Sequence, residues 1–331
     1  MGPGIRWAVA LAVTLAAAVA RAGAAQPAPA EPAGRYKVGD TFGQEVVVSR
    51  RSTFRVLGTD VSKWAQCALA SSFAITEVRA DGSLVAEQTV RAGRLIDADP
   101  DLRASLAAAL EKARGMKLEL TVGPAGEVKA LKGPKDTIRV LTGNDVAVGQ
   151  SLRVWSLLDD DAWKELAGLT FFQPEGAPTP EATWARGAGR RTWAREAVHD
   201  WGPLGGWRGK TVYAARGRQP GKPGLERYEY GHDIAYQPPA AGSDRGLPLR
   251  VLKADFQTAG AGGVILYDPS ARRVAAAEET FRVRGAVVVS LGGVEAVVEL
   301  EEVQGFRLAV GDPAAGAPAG PPPGGRPAPP E

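Results

Sequence analysis

The chain has 331 residues, with 40 Lys and Arg against 37 Asp and Glu, a formal charge of +3 and one cysteine, Cys67. The near balance of charge leaves no electrostatic footprint for nucleic acid, and one cysteine excludes an internal disulfide framework. Stability therefore has to come from a buried core, and the roughly 280 residues between two low-complexity ends are ample for one.

Residues 1–24 read as a secretory signal peptide. Arg6 supplies the positive start, Ala8 to Ala20 is a short apolar run, and the small-residue sites Ala20-Arg21-Ala22 and Ala22-Gly23-Ala24 follow. The run is shorter than the about 20 apolar residues that a spanning helix needs. Cleavage after Ala24 removes Arg6 and Arg21 and lowers the formal charge from +3 to +1. The expected product is exported, periplasmic or extracellular, with no membrane span. Residues 25–34 form a Pro/Ala linker, and residues 311–331 are almost wholly Pro, Gly and Ala. That tail lacks the large apolar side chains that offset ordering entropy, so it is expected to be disordered.

Residues 35–150 read as an N-terminal β-rich half. "TFGQEVVVSRRSTFRVLG" and "KWAQCALASSFAITEV" have strand composition, and Asp81-Gly82 marks a hairpin into "VAEQTVRAGRLI". A helix follows, with Asp99 as cap, Pro100 in its first position, Leu102, Leu106, Leu110 and Ala113 on one side, and Gly115 as its stop. Residues 151–182 form a helical connector. Its helix runs near Asp159 to Leu169, with Trp163, Leu166 and Leu169 as the apolar side. The Asp159-Asp160-Asp161 run suits the positive end of the helix dipole better than it suits a metal, because successive helical side chains diverge.

Residues 183–310 form the C-terminal β-rich half. Near its end, Val294, Ala296, Val298 and Leu300 alternate with Glu295, Val297, Glu299 and Glu301, an apolar face against an acidic one. "LELTVGPAGEVKAL" at 118–131 echoes "GVILYDPSARRVAAA" at 263–277, each an apolar strand, a Pro turn and a second strand. The echo fits either a duplication or two ordinary hairpins.

These Pro-turn hairpins, the terminal strands and the signal peptide resemble uncharacterised secreted bacterial β-rich proteins, a domain of unknown function. Their architecture is loosely similar to the half-barrel of lipoprotein-carrier proteins. The resemblance covers about residues 36–310 as a pattern of elements and carries no residue's role. It implies a curved sheet and a lipid-carrying function. The fold class is thus mainly β, a β-dominated α+β: curved antiparallel sheets in two linked halves, with one or two covering helices.

Six of the eight tryptophans lie between Trp155 and Trp207, and residues 186–227 hold ten basic against three acidic side chains. Read as a meander of 192–201, 207–216 and 225–236, this region splits by period two. Trp193, Arg195, Ala197, His199 and Trp201 share a face, as do Trp207, Thr211 and Tyr213, and Tyr228, Tyr230, His232, Ile234 and Tyr236. Arg208, Lys210 and Arg216 take the opposite face. The face is either a packed core with a wet basic side, a groove for an apolar or anionic ligand, or a contact surface for an envelope protein. The candidate ligand-binding residues are Trp193, Trp201, Trp207, Tyr213, Tyr228 and Tyr230 as walls, with Arg195 and Arg208 for an anionic group.

His199-Asp200 and His232-Asp233 lose their appeal as local catalytic pairs, since neighbours in a strand face apart. The same reasoning splits Glu278-Glu279 and Glu301-Glu302, which read as solvated faces. No nucleophile elbow, zinc-protease or phosphate-loop motif occurs, so no catalytic residue and no cofactor is assigned. The leading expectation is a secreted or periplasmic non-enzymatic binding or envelope protein, whose partner is a hydrophobic or anionic small ligand or an envelope protein. The alternative is an extracytoplasmic metal-dependent hydrolase using His199, His232 and a distant carboxylate such as Asp255 or Glu229. Two histidines fall short of the usual three-ligand catalytic zinc set.

Overall fold

The computed structural model describes residues 36–133, 137–143, 160–174, 192–200, 204–239, 250–291 and 293–312. The expected signal peptide, the linker, the tail beyond residue 312, most of the connector and Trp201 lie outside them.

The described strands are β1 Thr41–Val56, β2 Thr59–Val78, β3 Leu84–Ala98, β4 Lys117–Val122, β5 Val128–Lys132, β6 Thr192–Asp200, β7 Gly206–Gln219, β8 Lys222–Gln237, β9 Arg250–Asp268, β10 Arg273–Leu291 and β11 Val294–Gly311. The helices are α1 Pro100–Ala113, α2 Thr137–Thr142 and α3 Asp160–Thr170. All eleven strands belong to one antiparallel sheet of order β5-β4-β3-β2-β1-β11-β10-β9-β8-β7-β6. The two expected halves are therefore two meanders of a single β-dominated sheet. Their seam is β1 against β11, in a register that sets Val46 opposite Leu308 and Phe54 opposite Leu300. The two echoing Pro turns close the fourth-to-fifth hairpin of each run, β4–β5 and β9–β10.

The period of two in the sequence becomes two faces of opposite chemistry. In β1, Phe42, Val46 and Val48 are buried, while Arg51 and Arg55 are exposed. In β11, Leu300, Phe306 and Leu308 are buried, while Glu299, Glu301 and Arg307 are exposed. The outer face also carries cross-strand ion pairs: Lys117–Glu87 at 2.9 Å, Lys132–Glu119 at 2.8 Å and Arg216–Glu229 at 2.7 Å. A sheet that meets lipid needs an apolar outward band. The charged residues spread over β1, β4, β5, β7, β8 and β11 are the reverse of that pattern. No helix among the described residues is long and apolar enough to cross a membrane.

α1 begins where expected. Asp99 Oδ1 accepts the backbone N–H of Asp101, and Gly115 leaves the helix with φ +80°. The helix buries Leu106, Ala109, Leu110 and Ala113 on β3. It comes so close that a Cβ on Gly93 would lie 2.7 Å from the Leu110 carbonyl oxygen.

α3 packs on both the β5 edge and mid-sheet strands β10 and β11. Its Glu165 also meets His199 on β6, the opposite edge. One 11-residue helix therefore bridges strands at the two ends of the sheet order, so the sheet curls around it. Trp163, Leu166 and Ala167 of α3 are buried, and Phe171 and Phe172 just after it are equally enclosed.

The core divides in level. One part gathers Val46, Leu69, Leu110, Trp163, Tyr228 and Ile265 around α3 and α1. A satellite holds Phe42, Phe73 and Phe171, with ring centroids 5.1–5.8 Å apart. A third part, Trp207, Phe256, Val283, Val287 and Leu300, fills the other end of the sheet.

Candidate functional site

The faces read from the meander are the observed ones. Register pairs Trp193 with Tyr213, Arg195 with Thr211 and His199 with Trp207 between β6 and β7. Between β7 and β8 it pairs Trp207 with Tyr236, Thr211 with His232 and Tyr213 with Tyr230. Each of these pairs shares the inner face.

The candidate wall residues nevertheless separate into groups. Trp193, Tyr213 and Tyr228 surround Phe172, with Phe172 centroids 6.3, 5.3 and 5.7 Å from theirs. Trp193 stacks on Tyr213 at 5.3 Å and 12°, and Tyr230 touches Tyr213 at 5.6 Å. Arg195 completes this group, its Cζ 5.4 Å from both the Phe172 and Tyr213 ring centres. Trp207 belongs to the other core, against Tyr236 and Phe281. Arg208 is exposed on the outer face, beside Val198 and Ala235 in register. Period two had put it there, so it cannot join Arg195 around an anion on the inner face. Trp201 lies outside the described residues.

The aromatic face is therefore closed. Trp207 and Tyr228 are both 2% exposed. What fills the space over Trp193, Tyr213 and Tyr228 is Phe172, delivered by the turn after α3. Sequence reasoning gave Phe172 no part because it lies beyond the helix's apolar stripe.

A polar belt crosses the inner wall between the two main core regions. Thr211 Oγ1 shares a 2.8 Å hydrogen bond with His232 Nδ1, and His232 Nε2 is 3.3 Å from Glu279 Oε2. Tyr230 donates its hydroxyl to the same carboxylate oxygen at 2.6 Å. Burial and the Glu279 carboxylate push the Tyr230 hydroxyl far above its ordinary pKa. Further along the belt, Arg50 donates to Glu302 at 2.6 Å and Ser52 donates to its second oxygen at 2.9 Å, all three residues being buried.

Glu279 and Glu302 correct the expectation of solvated acidic faces. Each dipeptide does split by period two, and its second glutamate enters the interior. The inward parity of Leu300 and Phe306 on the same strand was the signal that Glu302 points inward.

Thr211, His232 and Glu279 form a hydroxyl–imidazole–carboxylate chain. Thr211 is 6% exposed in mid-strand beneath the aromatic group. Its hydroxyl satisfies a buried network and is not presented to a substrate. His199 and His232 take separate carboxylates, Glu165 and Glu279, while Glu229 pairs outside with Arg216 and Arg227. Asp255 is exposed. No group of three or more His, Cys, Asp or Glu placed to hold a metal occurs among the described residues. Burial pushes the Cys67 thiol up to about 12, so it is not a thiolate nucleophile near neutral pH.

α3 and its following turn are tied to the inner wall by polar contacts as well as by packing. Gln44, buried in β1, donates to Thr170 Oγ1 at 2.6 Å and to the Leu166 carbonyl at 3.4 Å. Arg195 donates to the Gln173 carbonyl, and His199 meets Glu165. Two buried donors on β6, Trp193 Nε1 and Arg195 Nε, have no hydrogen-bond partner among the described residues.

No family model matches the chain, and no curated protein matches its sequence. Among solved structures, similarity is found to the COG4313 outer membrane channel from Pseudomonas putida F1, at 10% identity and TM-score 0.20, covering 86% of this chain and 100% of that one. The outer membrane protein OprG from Pseudomonas aeruginosa is similar at 8% identity and TM-score 0.17, over 83% and 96% of the two chains. A DUF1329 family protein from Desulfovibrio piger is similar at 8% identity and TM-score 0.14, over 82% and 86%. Values this low carry no argument for a shared fold or role.

Proposed function

We propose that this chain is an exported, non-enzymatic binding protein that holds a hydrophobic ligand on the inner face of its curled sheet. One observation carries the reading. The sheet is charged outside and, apart from one polar belt, apolar inside, and a short helix with the turn after it occupies the interior between strands at its two ends. That arrangement supports the reading of a charged shell around an apolar filling that a ligand replaces.

The energetics of exchange are balanced. Burying a large apolar side chain stabilises by about 1.5–3 kcal/mol, so Trp163, Leu166, Leu169, Phe171 and Phe172 contribute roughly 7–15 kcal/mol. A sixteen-carbon chain entering the same space contributes about 12 kcal/mol at ~0.8 kcal/mol per methylene. The two apolar terms are of similar size, so net affinity has to come from polar contacts that the ligand makes beyond those of the filling it replaces.

Native mass spectrometry of the protein purified from its own host tests the proposal. A bound lipid is expected, together with one-to-one uptake of N-phenyl-1-naphthylamine after its extraction. A protein that carries nothing and takes up no probe contradicts the reading.

A further inference from the structure

The contacts of α3 and its turn resemble those of a ligand, part by part. Phe172 is the apolar body, set in the ring of Trp193, Tyr213 and Tyr228. The Gln173 carbonyl oxygen is an acceptor on Arg195, and the Glu165 carboxylate is an anion on His199. Arg195 and His199 sit four residues apart on the inner face of β6, with Ala197 between them on that face, and Trp193 lies two residues beyond Arg195. Buried donors are ordinarily satisfied, and an unsatisfied one calls for an explanation. Trp193 Nε1 and Arg195 Nε are two such donors, next to each other on that face, and Arg195 already gives its Nη2 to Gln173.

We infer that Trp193, Arg195 and His199 form the headgroup site of an anionic single-chain amphiphile, with a carboxylate or phosphate head. Glu165, Phe172 and the Gln173 carbonyl are its internal stand-in and compete with it. This rests on the binding function proposed above and adds the chemistry of the ligand. A guanidinium with donors to spare suits either anion, since both present paired oxygens to a planar fork. The Trp193 indole N–H supplies a further donor. The aromatic ring vacated by Phe172 receives the first part of the alkyl chain. The ligand replaces like with like: oxygen for oxygen on Arg195 and His199, and apolar atoms for Phe172. It therefore does not leave a buried cation unpaired.

Calorimetry with palmitate, hexadecyl phosphate and hexadecanol tests this. The wild-type chain is expected to bind one or both anions at least tenfold more tightly than hexadecanol, a charge-assisted hydrogen bond being of that size. A preference for one anion over the other identifies the head. Arg195→Gln is expected to erase the preference while leaving hexadecanol affinity in place, and Arg195→Lys to retain most of it. Phe172→Ala, which weakens the stand-in, is expected to tighten all three ligands at least fivefold. Glu165→Gln is expected to tighten the anions alone.

An unchanged anion-to-alcohol ratio in Arg195→Gln overturns the headgroup site while the chamber itself stands. Weaker binding of all three by Phe172→Ala overturns the stand-in. Should Arg195→Gln lose hexadecanol as well, Glu165→Gln decides: an unchanged anion affinity there overturns the proposal. Failure of the wild-type and Phe172→Ala chains to bind any of the three refutes the binding function itself.

Discussion

Replacing Glu302 with Gln at the seam between the two meanders is expected to destabilise the fold by about 3 kcal/mol. Arg50 and Glu302 meet at 2.6 Å with side chains 2% and 4% exposed, and Ser52 holds the other carboxylate oxygen at 2.9 Å. Removing one partner of a buried ion pair costs about 3–5 kcal/mol, because the remaining charge stays out of water without its counter-charge. Gln retains an acceptor for Ser52 and nearly the same volume, which places the loss at the lower end of that range. Urea unfolding followed by tryptophan fluorescence reads it as a lower midpoint at unchanged slope. The double variant Arg50→Met, Glu302→Leu removes both charges and fills the space, and is expected within about 1 kcal/mol of the wild type or above it. A loss under ~1 kcal/mol in Glu302→Gln would show that water reaches the Arg50 guanidinium, and the dry seam would have to be abandoned.

Two adjacent residues test the assignment of faces. Trp207→Ala is expected to cost about 3–5 kcal/mol, whereas Arg208→Ala is expected within about 0.5 kcal/mol of the wild type; equal losses in urea unfolding would contradict it. Gly93→Val places side-chain atoms where a Cβ alone would be 2.7 Å from the Leu110 carbonyl oxygen. It is expected to cost about 1–3 kcal/mol and to speed amide exchange in α1, and unchanged exchange would show that α1 does not lie on β3 so closely. Stability is also expected to fall at high pH. Burial raises the Cys67 thiol from 9.0 to about 12, and burial with the nearby Asp255 raises the Tyr236 hydroxyl from 10.0 to about 12. Both groups keep their protons longer when folded, so their contribution is whole below pH 9 and is lost as pH rises through 12. The urea midpoint should therefore hold from pH 7 to 8.5 and decline above 9, as stability falls by up to about 1.4 kcal/mol per pH unit for buried Cys67 and by less for the half-exposed Tyr236. Cys67→Ala should postpone the onset to near pH 10.

Much of the wall was legible in the sequence because strands repeat every two residues. Tyr228, Tyr230 and His232 had to share a face, and they do. Asp99, Pro100 and Gly115 bounded α1 because caps and stops are local chemistry. The interior was not legible for the opposite reason. The seam pairs Val46 with Leu308, and nothing near either residue encodes the other. Glu302 reads as a solvated glutamate until Arg50, 252 positions away, is placed beside it. Phe172 acquires its role only when the sheet curls far enough to bring β6 over the turn after α3. The candidate walls were thus found as a face, and what fills the space beside them was not.

The central claim is that ligand enters the inner chamber by displacing α3, and fixing that helix in place tests it most directly. In a Cys67→Ala background, Gln44→Cys and Thr170→Cys can be joined by a short thiol-to-thiol crosslink, tying the end of α3 to β1 where Gln44 donates to Thr170. Native mass spectrometry with palmitate then compares the tied and untied forms of the same chain. The tied form is expected to bind none and the untied form one molecule. Equal uptake by both would place the ligand elsewhere and contradict the claim.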